Sequence, residues 1–202
     1  MKSTSKLLAA AAVALLFASP SQAVSLVNGG FEDNAVAPGT WWYGSAASVN
    51  GWEGSNIEIW DNYGGVVAPE GRQHAELNAH PYTGGVFSIY QNFATNVGQA
   101  YDVSFFYSAR RSSNEVFNFS VGNLAAVLND HVVGSWRQYN GSFVANSAMS
   151  TIRFTSSNNG TVGNFLDDVV VSSQVPEPAT LALFGLGLAG LAFGRRRSAA
   201  VR

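Results

Sequence analysis

Tyr101-Asp102-Val103-Ser104-Phe105-Phe106-Tyr107-Ser108 places Tyr101, Val103, Phe105 and Tyr107 at every second position. A period of two sets these four side chains on one face of an extended chain, the pattern of a strand with one side in a core. Val116 to Val121 repeats it with Phe117, Phe119 and Val121. Working outward, short runs of aromatic and β-branched residues predict further strands at about 57–60, 73–78, 86–93, 131–133, 136–145, 151–155 and 165–171. Asn, Gly and Ser clusters separate them, as turns do. Between the chain ends the best helical stretch is Leu124 to Leu128, which is too short and is bounded by Asn123 and Asn129. So many short strands predict an all-β fold, a jelly-roll β-sandwich of antiparallel sheets.

The chain has 202 residues and no Cys, so disulfides and thiolate metal sites are excluded. Residues 24–173 are one domain's worth of chain, enough to build a core. That segment has no Lys, five Arg (72, 110, 111, 137, 153) and twelve acidic residues, which leaves a net charge of −7. An acidic domain with no basic stripe argues against nucleic acid as a partner.

Both ends read as signals. Lys2 and Lys6 precede an apolar stretch from Leu7 to Ala18, and Ser21-Gln22-Ala23 offers small residues for signal peptidase. Residues 1–23 are therefore expected to be a cleaved signal peptide. The other end reads Pro176-Glu177-Pro178, an apolar run of 16 residues from Ala179 to Gly194, then Arg195-Arg196-Arg197. As a helix that run would extend roughly 24 Å at ~1.5 Å per residue, short for a comfortable bilayer span. Hinge, apolar run and Arg cluster, in that order, resemble the PEP-CTERM sorting domain. The resemblance implies a sorting signal over 174–197 and a cytoplasmic tail at 198–202. It also implies a transient inner-membrane helix at 179–194 and cleavage near Pro176, Glu177 and Pro178 by an exosortase-type enzyme. The host would be a Gram-negative bacterium, and the destination its cell surface or exopolysaccharide matrix.

Two acidic motifs frame the domain: Asn28-Gly29-Gly30-Phe31-Glu32-Asp33 and Phe165-Leu166-Asp167-Asp168-Val169-Val170-Val171. Leu166 and Val169 are three apart, so a strict alternation would send them to opposite faces. A β-bulge at Asp167-Asp168 would resolve this and turn one carboxylate inward. An inward carboxylate needs a partner, and a hard cation with oxygen ligands would serve. These motifs, with Gly51-Trp52, Pro69-Glu70-Gly71, Ala75-Glu76-Leu77-Asn78, Ile89-Tyr90-Gln91 and Gly98 to Arg110, resemble the galactose-binding-like jelly roll of many carbohydrate-binding modules. The resemblance spans about 28–171. It implies a structural Ca²⁺ held by Glu32 and Asp168, with Asp167 a further candidate.

The aromatic supply raises the question of sugar, whose C–H faces stack on flat rings while acids, amides and Arg bind the hydroxyls. Trp41-Trp42-Tyr43 lies between Pro38-Gly39-Thr40 and Gly44-Ser45, a loop-like setting in which consecutive aromatics cannot all face one core. Trp41, Trp42 and Tyr43 are the leading ligand-binding candidates, with core packing an even alternative for the two Trp residues. Trp52 and Trp136 read as core. Arg110 follows a strong strand and could line a groove or sit in a solvated loop. Glu76 could bind sugar hydroxyls, help hold a metal or pair with an Arg. His74, His80 and His131 have no metal spacing and read as surface or turn residues. There is no nucleophile elbow, zinc motif or phosphate loop, so catalysis is not expected. The expected function is non-catalytic polysaccharide binding outside the cell. The alternative is a structural matrix or adhesion protein that binds protein partners or itself.

Overall fold

A computed structural model of the chain describes residues 26–82 and 84–174, together with Gly187. The signal-peptide and cleavage-site readings (1–23, 176–178) and, apart from Gly187, the apolar segment 179–194 lie outside the described residues. No helix among the described residues is long and apolar enough to cross a membrane.

Among the described residues, eleven strands form two antiparallel sheets. They are β1 Trp41–Ser45, β2 Glu53–Gly54, β3 Asn56–Asp61, β4 Gln73–Glu76, β5 Ser88–Ala94, β6 Ala100–Ala109, β7 Phe117–Val121, β8 Leu124–Leu128, β9 Arg137–Val144, β10 Met149–Ser156 and β11 Asn164–Ser173. One sheet has the order β1-β3-β4-β11-β6-β9 and the other β2-β5-β10-β7-β8. This is a jelly-roll β-sandwich: the first strand β1 and the last strand β11 belong to one sheet, and every named pairing is antiparallel.

Alternation along the strands decides which face each residue takes. Tyr101, Val103, Phe105 and Tyr107 all point between the sheets and are buried. Phe105 sits at the centre. Its ring lies 4.9 Å from Phe119, 4.9 Å from Tyr139 and 5.0 Å from Phe154, centroid to centroid. Trp52 is core, 2% exposed and stacked on Phe31 at 5.2 Å, as its position in the sequence suggests.

The bulge in β11 is present. Its pairing with β6 shifts between Asp167 and Val170, and Asp168 takes φ 48°. The extra residue lets both Leu166 and Val169 enter the core. Asp167 is fully buried, as an inward carboxylate requires.

Three local readings are corrected. Trp41–Ser45 is not a loop but the edge strand β1, paired with β3 from Trp41↔Trp60 to Ser45↔Asn56. Leu124–Leu128 is a strand, formed because Gly122-Asn123 makes the tight turn of a hairpin with β7. His74 and His131 are not surface residues: both are buried, and among the described residues their ring nitrogens have no hydrogen-bond partner. Aromatic rings surround them instead, Trp60, Trp136 and Phe165 around His74, and Tyr107 and Phe117 around His131. Burial without a partner lowers the His74 pKa to about 4, so its ring is neutral near pH 7. His80 is exposed, as expected.

Candidate functional site

The outer face of the six-stranded sheet gathers the functional candidates. Residues of one parity on β1, β3, β4, β11 and β6 point away from the core there: Trp41 and Tyr43, Glu58 and Trp60, His74 and Glu76, Phe165, then Ser108. The pairings Trp41↔Trp60, Tyr43↔Glu58, Trp60↔His74, Glu58↔Glu76, Phe165↔Glu76 and Phe165↔Ser108 line them up across the sheet.

Alternation separates the three consecutive aromatics. Trp41 and Tyr43 face outward, 37% and 43% exposed, with ring centroids 5.7 Å apart. Trp42 faces the core and is half-buried against it. Its ring lies over Gly44, where a Cβ would sit only 2.4 Å from it. Trp42 is therefore placed apart from the other two, because a strand cannot present neighbours on one side. Beyond Trp41, the exposed ring of Tyr63 packs edge-on against Trp60 at 5.0 Å.

Next to this aromatic surface lies a cavity of about 510 Å³. The loop 64–67 forms one wall and the segment 133–136 the other, with Arg110 and Phe165 between them. Trp136 joins the walls, because its indole Nε1 donates to Val67 O at 2.9 Å. It is a half-buried wall residue rather than a core residue.

Arg110 and Glu76 form a pair. Arg110 Nη1 donates to Glu76 Oε1 at 3.0 Å and Oε2 at 2.9 Å, and also to Thr161 O at 3.3 Å. The guanidinium lies over the Trp60 ring, 4.7 Å from its centroid. Gly163 N also donates to Glu76. Glu58 faces Glu76 across the strand pair and accepts from Trp60 Nε1 and from His80 N. Burial, then the Glu58 charge, push the Glu76 carboxyl up to about 9, against the pull of Arg110 and the Gly163 N–H. Arg110 thus holds the buried Glu76 carboxyl and still lines the cavity. Glu58 and Glu76 are 3% and 0% exposed, so neither can touch a substrate in the cavity.

The metal candidates lie elsewhere, around the N-terminal motif. Glu32 Oε1 accepts from Arg72 N and Gln73 N, both at 2.6 Å, and so pins the loop before β4. Asp167 Oδ2 accepts from Glu70 N at 3.2 Å and Oδ1 from Asp168 N at 2.7 Å. Burial pushes the Asp167 carboxyl up to about 8; the Glu70 and Asp168 N–H donors pull it down, and the Asp168 and Glu70 charges push it further up. A Cβ on Gly30 would lie 2.7 Å from Glu70 Oε2 and 3.9 Å from Asp167 Oδ1, so the glycine leaves room beside both. Asp168 is half-buried on the bulge. No set of three His, Cys, Asp or Glu side chains able to hold a metal occurs among the described residues. The chemistry of a buried, uncompensated carboxylate suits a hard cation only if backbone carbonyls complete the shell.

Comparison with known proteins adds two findings. Residues 174–197 match the PEP-CTERM protein-sorting motif, which implies an exported protein with a membrane-anchored intermediate. The sandwich is similar to solved jelly-roll structures. One is the enzymatically active domain of bacteriophage CBA120 tailspike protein 4, with TM-score 0.50 and 14% identity, covering 75% of this chain and 21% of that one. Another is a CBM4 module, with TM-score 0.45 and 18% identity, covering 74% of this chain and 100% of that one. A third is TmCBM61 in complex with β-1,4-galactotriose, with TM-score 0.48 and 15% identity, covering 75% and 99%. At these identities the likeness is one of fold. No curated protein matches the sequence.

Proposed function

We propose that the protein is an exported, non-catalytic carbohydrate-binding protein, acting at the cell surface or in an exopolysaccharide matrix after processing by an exosortase-type enzyme. One observation carries the reading: exposed Trp41, Tyr43 and Tyr63 rings lie on the same outer sheet face as a cavity lined by Arg110, Trp136 and Phe165. Rings supply stacking surfaces for sugar C–H faces, and the guanidinium supplies N–H donors for hydroxyls. A neutral glycan suits the site better than a polyanion, because the domain carries −7 and Arg110 is already paired with Glu76. The non-catalytic reading draws on Glu58 and Glu76, an acidic pair beneath the site that is buried. A glycosidase needs two carboxyls in reach of the scissile bond.

The test is affinity electrophoresis and calorimetry of the purified protein on polysaccharide from its own host. Trp41→Ala and Tyr43→Ala should each weaken binding about tenfold, near 1.4 kcal/mol. Stability should change by about 1 kcal/mol or less, as for exposed positions. Trp42→Ala should reverse the pattern and cost stability first. Unchanged affinity in both outer variants would sink the reading. Shortening of the polysaccharide on size-exclusion chromatography would overturn the non-enzyme part.

The cofactor reading is a structural Ca²⁺ at the N-terminal motif, with Glu32, Asp167 and Asp168 as its acidic neighbours. Its support is the burial of the Asp167 carboxyl, which keeps it protonated near pH 7 in the absence of a cation, and the space beside Gly30. The ion would supply the compensating charge that Asp167 lacks. Ca²⁺ at ~100 times its dissociation constant should then stabilise the fold by about 2.7 kcal/mol. Asp167→Asn should abolish that gain. A melting temperature indifferent to Ca²⁺ after exhaustive chelation would refute the site.

A further inference from the structure

The end of the sandwich where the chain leaves toward the sorting motif differs from the rest of the domain. Gln174 is held there by three hydrogen bonds. Its N–H donates to Ala100 O at 2.9 Å, its side-chain amide to Asp102 Oδ1 at 2.6 Å, and its carbonyl accepts from Gln99 Nε2 at 2.5 Å. The chain's exit is therefore fixed to the first residues of β6. From Gln174 to Ala179, where the apolar run begins, the backbone reaches at most about 18 Å when fully extended. A membrane entered by that run would be reached from Gln174 through this short tether.

The surface there has the matching chemistry. The loops at this end are 95–99, 122–123 and 145–148, which join β5 to β6, β7 to β8 and β9 to β10. Segments 84–101, 116–129, 138–152 and 169–174 contain no Asp, Glu, Lys, Arg or His. Asp102, the acid at this end, is occupied by the Gln174 amide. Val97, Val144 and Met149 project from these loops and strand ends, 69%, 50% and 63% exposed. An acidic domain would be repelled by an anionic bilayer at most of its surface. This end lacks the repelling groups and offers apolar side chains, as an interfacial surface does.

We propose that this end, built around Val97, Val144 and Met149, rests on the lipid bilayer while the chain is held by its sorting segment. The proposal rests on the sorting reading of residues 174–197. Lipid contact would seat the domain during the membrane-bound stage and hold the hinge at a fixed height for cutting.

The chain has no native Cys, so single labels can be placed cleanly. The full chain carrying Val97→Cys, Met149→Cys or Val132→Cys, each with an environment-sensitive fluorophore, is reconstituted into phosphatidylethanolamine–phosphatidylglycerol vesicles. Val132 is 52% exposed and lies at the other end of β6, so it reports water contact. Thermal unfolding of each labelled variant checks that the fold is kept. The expected result is a blue shift and quenching by lipid-borne quencher at 97 and 149 but not at 132. Equal emission at all three positions in vesicle-bound protein would overturn the proposal and leave the sorting reading intact. Protection at 97 and 149 in host membranes but not in pure lipid would also overturn it, by assigning the surface to a protein partner. Failure of the chain to float with vesicles would overturn both.

Discussion

Arg110→Ala should destabilise the fold by about 1–3 kcal/mol, the cost of leaving the buried Glu76 carboxyl without its side-chain donor. Arg110 donates to both oxygens of Glu76, and its loss leaves Glu76 and Glu58 facing each other without a cation. It would also remove the donor that lines the cavity, so binding should fall with stability. Urea unfolding measures the first effect, and a loss below about 1 kcal/mol would refute the pairing argument. Adding Glu76→Gln to Arg110→Ala should recover part of the loss, since the double variant buries one carboxyl fewer. The pH dependence has a definite sign. The folded Glu76 carboxyl stands at about 9, above its ordinary 4.5. Its contribution is therefore full below pH 4.5 and is lost as pH rises toward 9. Glu76→Gln should flatten that stretch of the stability curve.

Phe105→Ala should cost more, ~3–5 kcal/mol, by a different route. The ring is fully buried and contacts partners from both sheets: Tyr107 on its own strand, Tyr139 on the neighbouring strand β9, and Phe117, Phe119 and Phe154 on the facing sheet. Removing it opens a void between rings that cannot all move inward. Phe105→Leu should cost clearly less, because it keeps most of the volume. If both variants unfold at the same urea concentration, the cavity argument fails.

The fold was legible where side chains obey a period of two. Tyr101 to Tyr107 and Phe117 to Val121 declare their buried faces in the sequence itself. The parity break between Leu166 and Val169 announced the bulge before any coordinates. Strand β1 was not legible, because Trp41-Trp42-Tyr43 shows no alternation of polarity. An edge strand with aromatic rings on both faces looks like a loop. The histidines misled for a related reason: nothing local says that Trp60, Trp136 and Phe165 will converge on His74. For the site, Glu76 and Arg110 are 34 residues apart, and only the sheet order brings them together. Trp60 and Tyr63 stood out only as members of a large aromatic supply, and the loop 64–67 gave no signal of its own. The cavity arises from the covering of one sheet face, which is a tertiary event.

Strand β6 also sets a length. It begins at Ala100, against the anchored Gln174, and ends at Ala109, on the cavity lining. At ~3.4 Å per residue, its ten residues hold the two ends roughly 30 Å apart. The strand therefore separates the two ends of the domain: a glycan bound at Arg110, as proposed, would sit several Debye lengths (each ~8 Å) from Gln174.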